Sequence, residues 1–557
     1  MKIRMKKIIL RILTAILSVT LLFSVIFFTS FKENDDFEIA KNLDIYYTVI
    51  RELSLHYVDE SDVGKLVRTS IEAMLNSLDP YTNYIPESRI EDYRVMTTGQ
   101  YGGIGVAVIQ RNNEVFVVEL AEGSPAQLAG IKLGDRILKI SGVDISDKNE
   151  EDINRLLKGQ PNSPVELMLK KAVTNEIKTV MVGRQIIHID NVPYYGMIDD
   201  ETGYIKLTGF TEEASSEVKT ALLKLKEEHN AKSVVLDLRG NPGGLLIEAV
   251  RIVNLFMDKG VEVVSTKGKV EMRNHTFYAE FPATDTQIPL VVLINRGSAS
   301  AAEIVSGAIQ DFDRGVIIGQ RSYGKGLVQE TRELSYGAQM KLTIAKYYIP
   351  SGRCIQALDY SHRNEDGSVG RVPDSLVTAF KTLNGRTVYD GGGVMPDIEI
   401  EERTFSNILT ALNDNFIFFD FACVFENQHA TISPADEFLF TDADFDKFIE
   451  FVVNSDFDYH TEREDKLLEL IEAAKAEKYY EGSEDLFNKL SQQMTHNIEN
   501  DLRKFKDEIK QILSFEIVGR YYFDKGKVEY ALSNDKEVKA ALEVLKNEAQ
   551  YKSILGL

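Results

Sequence analysis

Cysteine is scarce: Cys354 and Cys423 are the only two in 557 residues. That excludes a disulfide framework, although one bridge between them stays open beside two unpaired, buried thiols. Positive charge is also short. Lys and Arg number 64 against 86 Asp and Glu, a net charge of −22, which argues against nucleic acid or anionic lipid as the main partner. No internal repeat or low-complexity tract appears. Histidine is sparse, with eight in the chain. The two nearest in sequence to the serine-rich stretch "RGSASAAEIVSGAIQD" (296–311) are His275 and His362, and neither stands in a recognisable catalytic context.

One long hydrophobic run is there. Lys2, Arg4, Lys6, Lys7 and Arg11 precede an uncharged stretch from Ile12 to Ser30, 19 residues, close to the roughly 20 that cross a bilayer. "VIFFTSFKE" offers no small-x-small cleavage site and no cysteine to take a lipid. An uncleaved anchor is therefore favoured over a cleaved signal peptide. In either case the positive flank stays in the cytoplasm and the body lies outside it, in a periplasm or cell envelope.

The pattern predicts a multidomain α/β (α+β) chain. After the segment 1–34, residues 35–95 read as a helical module, with Val63, Leu66, Val67, Ser70, Ile71, Met74, Leu75 and Leu78 on one face. Residues 96–183 change to short strands with glycine punctuation: "YGGIGVAVIQ", "VFVVEL", "DRILKISG" and "VELMLKK". Residues 184–403 alternate strand and helix. Their apolar runs "SVVLDLR", "LVVLIN" and "GVIIG" predict a largely parallel sheet covered on both faces. Residues 404–557 are acidic, aromatic and mostly helical in pattern. Within them "DADFDKFIEFVV" fails as a calcium loop, having no glycine at loop position six and Val453 where a bidentate Glu belongs.

Three serines crowd one strand-to-helix turn: Ser298, Ser300 and Ser306. Ser300 precedes Glu303 by three, a capping-box spacing that by itself makes Ser300 a helix N-cap. The same geometry exposes a hydroxyl at the carboxyl edge of a sheet, where α/β enzymes place reactive groups. It also presents free amides, that of Ala301 among them, to a developing oxyanion. "GQRSYGKGLVQE" comes next. It nearly matches a phosphate-binding loop, but Gly326 stands where Ser or Thr must ligate magnesium, and a strand follows. A lysine between two glycines, Lys325, can instead be held in a desolvated place that disfavours its charge. A neutral amine is a competent base for a serine hydroxyl.

Five blocks together, "LDLRGNPGG", "NRGSASAAEIVSGAIQD", "GQRSYGKGLVQE", "KLTIAKYYIPSGRCIQ" and "GGGVMPDIEI", resemble the carboxyl-terminal processing peptidases, or tail-specific proteases, which are S41-type serine peptidases. The resemblance covers about residues 40–403. It implies Ser300 as nucleophile, Lys325 as general base and Gln329 as the residue that positions the lysine. It implies oxyanion donors at the amides of Ala301 and of the "NPGG" turn, Gly244 before Gly243. Ser298 and Ser306 keep structural roles.

The β region resembles the PDZ domain of that family, whose glycine-rich loop captures a peptide's terminal carboxylate while the chain adds as an edge strand. Here that loop is Gly102, Gly103, Ile104 and Gly105. Protein or peptide substrates with free C-termini follow from this, and no cofactor or metal is signalled. The helical N- and C-terminal regions leave room for a homo-oligomer or an adaptor. Two rivals stand against the peptidase: a PDZ scaffold with an inactive core, and an acyl enzyme of another class. A peptide-terminus reader has no use in the latter.

Overall fold

A computed structural model describes residues 36–364, 367–494 and 496–557. The expected membrane segment, 1–34, lies outside the described residues. The chain divides into two units. The smaller runs to Tyr84 and takes in Thr331–Leu334 and Ala338–Leu342. In it residues 36–56 and Val63–Asn76 are helical. Asp62 caps the second helix by accepting from the Lys65 amide at 3.0 Å. The apolar face predicted for it forms, but only Leu75 is buried; Leu66, Met74 and Leu78 stay exposed.

The larger unit, Ile85–Glu330 with Ser335–Gly337 and Thr343–Leu557, holds the rest. A two-stranded ribbon, β1 (Gln100–Gly103) with β7 (Gln185–His188), leads into and out of the β region. Between them lies an antiparallel sheet in the order β2 (Val106–Arg111), β3 (Glu114–Leu120), β4 (Arg136–Ile140), β5 (Pro164–Lys170), β6 (Ile177–Gly183). Its core gathers Ile104, Val117, Ile140, Val165 and Leu167 with Ile153 and Leu157 of helix α1 (Glu150–Leu157). Strand β2 is an edge of this sheet, with α1 beside it.

The six-stranded sheet behind the serine turn runs β8 (Tyr194–Met197), β9 (Thr202–Lys206), β10 (Ser233–Asp237), β11 (Leu290–Ile294), β12 (Val316–Gly319), β15 (Ile398–Glu399). All neighbours are parallel except β8 against β9. Helices α2 (Ala214–Glu227), α3 (Leu246–Phe256) and α4 (Ala301–Asp311) cover one face, burying Val234, Leu236, Val292 and Ile317. The apolar runs are continuous because the alternate residues are buried too: Val235, Val291, Leu293 and Ile318 lie in a second core. Strands β13 (Leu327–Glu333) and β14 (Gln339–Tyr348) then pair with each other.

The C-terminal region is helical, as its pattern predicts, but it does not form one body. Helices α5 (Asn407–Asp414), α6 (Ile417–Gln428), α7 (Asp442–Val453) and α8 (Lys506–Leu532) share a phenylalanine-rich core. Phe421 meets Phe448 edge to face at 5.1 Å. The rejected calcium loop is helix α7. The last helices, α9 (Lys536–Lys546) and α10 (Glu548–Ile554), leave this core. Their Val538, Ala541 and Val544 cover the second face of the six-stranded sheet.

Among the described residues no single helix is long and apolar enough to cross a membrane. The bent pair α5–α6, at 66°, has the composition but lies in the helical core. Cys354 and Cys423 are unpaired. Cys423 faces the β region, its thiol pushed up to about 11 by burial. Nearby, the Arg111 guanidinium of β2 meets Asp420 at 3.0 Å and lies over the rings of Phe116 and Phe416.

Candidate active site

Strand β11 ends at Ile294 and helix α4 begins at Ala301, so the serine turn lies at the carboxyl edge of the sheet. Ser298 is fully buried. Its hydroxyl donates to the Leu238 carbonyl at 2.8 Å and accepts from the Asn295 amide at 2.9 Å. Ser306, inside α4, donates back to Ala302 at 2.9 Å and is equally buried. Both hydroxyls are thus tied into the buried fold. Ser300 differs. It is half-buried and sits at φ 55°, ψ −114°, a conformation that costs a non-glycine residue about 1–3 kcal/mol and persists only where the surroundings impose it.

Glu303 is bonded to Ser300. The Ser300 amide donates to Glu303 Oε2 at 2.8 Å, the reach-back half of the expected capping box. The Lys325 amide donates to that same oxygen at 2.9 Å. The other oxygen, Oε1, takes the Ser322 hydroxyl at 2.6 Å and the Gly324 amide at 2.7 Å. One buried carboxylate thus ties the serine turn to the lysine loop. Burial pushes this carboxyl above its usual range, opposed by the bonds from Ser322 and the three amides. Tyr347 adds a second tie: its hydroxyl lies 2.6 Å from the Lys325 carbonyl oxygen and 3.1 Å from that of Ser300. Lys325 itself is half-buried. The Gln329 amide donates to Thr343 Oγ1 at 3.3 Å.

The "NPGG" turn packs against the serine. A Cβ on Gly243, at φ 96°, would lie 2.7 Å from the Ala299 carbonyl, 2.8 Å from Ser300 Cβ and 2.9 Å from the Ala301 nitrogen. Only glycine allows that approach. Asn241 organises the turn from below, donating to the Leu207 carbonyl at 2.9 Å and accepting the Gly243 amide at 2.8 Å. Gly243 therefore spends its N–H inside the turn. Phe210 holds the other side: its amide donates to the Gly243 carbonyl at 3.2 Å and its carbonyl accepts from Leu245 at 2.7 Å. Asn191, at the end of the ribbon from the β region, fixes that segment through Thr208 and Thr211.

On the opposite face of the sheet lies a second buried carboxylate. Asp237 ends β10 and accepts the Tyr204 hydroxyl at 2.6 Å, with Arg239 at 2.6 Å and Lys206 at 3.3 Å. Burial raises its carboxyl, but the two cations and these bonds outweigh burial and hold it well below the usual carboxylate range.

The glycine loop of the β region is placed as follows. Gly102 and Gly103 lie in β1, and the Gly102 carbonyl accepts the Gly159 amide at 3.0 Å. Ile104 is buried in the β-region core, and the Ile104 and Gly105 carbonyls accept from Ala126 and Ala121, each at 3.0 Å. The chain then enters the edge strand β2.

Comparison with known proteins decides the family. The chain is 36% identical over 332 residues to the carboxy-terminal-processing protease of Bartonella bacilliformis, covering 59% of this chain and 76% of that protein. It belongs to the carboxy-terminal-processing proteases of family S41. A probable CtpA-like serine protease of Staphylococcus aureus is 35% identical over 317 residues, 56% of this chain and 62% of its own length. Residues 201–361 match the family described as Peptidase family S41, and 116–171 match the PDZ domain. Residues 408–545 match a domain described as "Probable PDZ-protease, C-terminal helical domain". Among solved structures, the photosystem II D1 C-terminal processing protease is similar at 27% identity, with a TM-score of 0.36 over 64% of this chain and 86% of that one. This S41 protease therefore carries a PDZ domain and a helical domain around its peptidase core.

Three residues that tie this geometry together lie inside the motif blocks but have no role assigned to them there. Glu303 was visible only as a cap, by its spacing from Ser300. Tyr347 lies in "KLTIAKYYIPSGRCIQ" and Ser322 in "GQRSYGKGLVQE", and neither stretch marks the partner it finds.

Proposed function

We propose that this S41 protease is a serine endopeptidase that works with a Ser300–Lys325 dyad outside the cytoplasm and selects substrates by their C-termini. The observation that carries the dyad is the single oxygen, Glu303 Oε2, that holds the amides of both residues. Ser300 Oγ attacks the scissile carbonyl carbon and gives its proton to the neutral Lys325 amine. The tetrahedral oxyanion forms against the amide of Ala301 at the start of α4 and that of Gly244, since Gly243 uses its own on Asn241. Lys325 then protonates the leaving amine, the C–N bond breaks, and an acyl-Ser300 ester remains. Water attacks that ester, Lys325 takes its proton and returns it to Ser300, and the acid departs. Gln329, on the strand after Lys325, orients the amine.

The open edge of β2 beside α1 suits a peptide added as an antiparallel strand, its terminal carboxylate at the 102–105 loop. The segment Ile12–Ser30 anchors the chain, and an alkaline-carbonate wash should leave it with the membrane. The decisive experiment is labelling with a fluorophosphonate together with hydrolysis of an unfolded protein. Ser300→Ala and Lys325→Ala should each abolish both, and their combination should be little worse. Lys325→Arg should be equally dead, because a guanidinium stays protonated. Ser298→Ala and Ser306→Ala should retain labelling. An active Lys325→Arg enzyme would sink the dyad, and an unlabelled wild type would favour an inactive scaffold.

A further inference from the structure

Two loops build the proposed site: the turn 239–244, which leads from β10 to the Gly244 amide, and the loop 320–326, which leads from β12 to Lys325. Each is gripped at its first residue by the same place in the C-terminal region. Arg239 meets Asp535 at 2.8 Å and Glu537 at 3.3 Å. Gln320 donates its side-chain amide to Glu537 at 2.9 Å and to the Ile400 carbonyl at 3.0 Å. Asp535 is the N-cap of α9, accepting the Val538 amide at 3.0 Å, and Glu537 stands in that helix's first turn. A helix N-terminus favours acidic groups there.

The charges account for one another. Arg239 and Lys206 bring two positive charges; Asp237, Asp535 and Glu537 bring three negative ones, the third set against the positive end of α9. Lys206 also donates to the Arg239 carbonyl at 2.8 Å, so Arg239 is fixed by backbone and side chain together. Without Asp535 and Glu537, one carboxylate would face two cations in a place where Arg239 is only 16% exposed. Such a cluster rearranges, because an unpaired buried charge is costly. The loop that moves with Arg239 packs on Ser300 through Gly243.

We propose that Asp535 and Glu537 are positioning residues of the peptidase: they set the oxyanion turn and the lysine loop relative to each other, making the end of the C-terminal region part of the catalytic unit. This rests on the Ser300–Lys325 reading. The test uses the full chain with the near-isosteric double variant Asp535→Asn/Glu537→Gln, which keeps shape and removes charge. Lys546→Ala serves as control. It breaks another contact of the same helix, with Asp199 at 2.8 Å, away from both loops.

The double variant should lose at least about tenfold in kcat for an unfolded protein substrate with KM within about twofold. Fluorophosphonate labelling of Ser300 should slow in parallel, and thermal unfolding should remain cooperative. The Lys546→Ala enzyme should keep kcat within about twofold of wild type. A folded double variant with unchanged kcat overturns the proposal, as does an equal loss in Lys546→Ala. Should the double variant fail to fold, Glu537→Gln alone is read in the same way, with a fall of about threefold or more in kcat expected and unchanged kcat overturning it. A wild type that does not label overturns the dyad reading itself, which is a different result from a labelled wild type with an unaffected variant.

Discussion

Two buried carboxylates stand at the carboxyl edge of one largely parallel sheet, and they are solved in opposite ways. Glu303, on the face of α4, is surrounded by donors that carry no charge: three amides and a hydroxyl. Asp237, on the other face, is surrounded by Arg239, Lys206 and a tyrosine. Neutral donors fix direction, so Glu303 sets where two backbones lie. Cations fix charge and reach further, so the Asp237 cluster can recruit carboxylates from α9, far along the chain. The geometry of the serine turn belongs to the first carboxylate and the attachment of the C-terminal region to the second.

The largest expected effect comes from converting Glu303 to the uncharged shape it most resembles. In Glu303→Gln one acceptor becomes an NH2 group that faces donors. Either the Ser300–Lys325 pair or the Ser322–Gly324 pair then loses its partner. A misplacement of about an ångström at reacting groups costs roughly 100-fold, so kcat should fall by at least about that factor. Unfolding free energy should fall by only about 1–3 kcal/mol, the cost of buried donors left unmade. Urea denaturation beside steady-state kinetics checks both. If activity fell only in proportion to the loss of folded protein, Glu303 would be a stability residue alone.

A smaller effect separates contact from strain in the proposed oxyanion turn. Gly243 and Gly240 both have positive φ, 96° and 71°. A methyl on Gly243 meets Ser300 and its neighbours, while one on Gly240 meets nothing within 4 Å. Gly243→Ala should cost about tenfold or more in kcat. Gly240→Ala should lower stability by about 1 kcal/mol with kcat nearly intact. Equal kinetics for the two would show that the packing of Gly243 on Ser300 is not what holds that serine in place.

Legibility in the sequence followed the range of the interactions. The parallel strands were readable because both faces of the sheet are apolar, so "SVVLDLR" and "LVVLIN" carry no polar interruption until Asp237. The motif block leaves Ser298 and Ser306 as packing residues; the Ser306 hydroxyl bonds one turn back, whereas that of Ser298 donates to Leu238, sixty residues away, a partner the block does not mark. The block pattern points to Ser300 and Lys325 but not to the atom that unites their amides. Glu303 looks like any capping glutamate until the lysine loop closes on it, and loop closure leaves no mark at either end. The division of the C-terminal region was hidden for a similar reason. The apolar positions of α9 repeat as any amphipathic helix repeats, and nothing in that period says which surface it covers. The helical module near the N-terminus is the converse: Val63–Asn76 has the period, yet only Leu75 is buried.

The smallest effect is also the sharpest on the two carboxylates, because it predicts opposite signs. Burial raises the pKa of Glu303 in the folded protein. Its contribution to stability is therefore fully present below the unfolded Glu value of about 4.3 and is lost as pH rises through the raised value. Measured against Glu303→Gln, which does not titrate, wild type should lose ground as pH rises above the unfolded Glu value of about 4.3. Asp237 is held low by Arg239 and Lys206 against the push of burial. Its contribution is present above the unfolded Asp value of about 3.9 and is lost as pH falls below it. Measured against Asp237→Asn, wild type should gain ground from about pH 3 to pH 5. Urea midpoints for the three proteins across this range give both slopes in one experiment. Slopes of the same sign would mean that one carboxylate is not in the charge environment described. If the Glu303 slope were the one reversed, its four donors would outweigh its burial, and the knot between Ser300 and Lys325 would tighten with ionisation instead of straining against it.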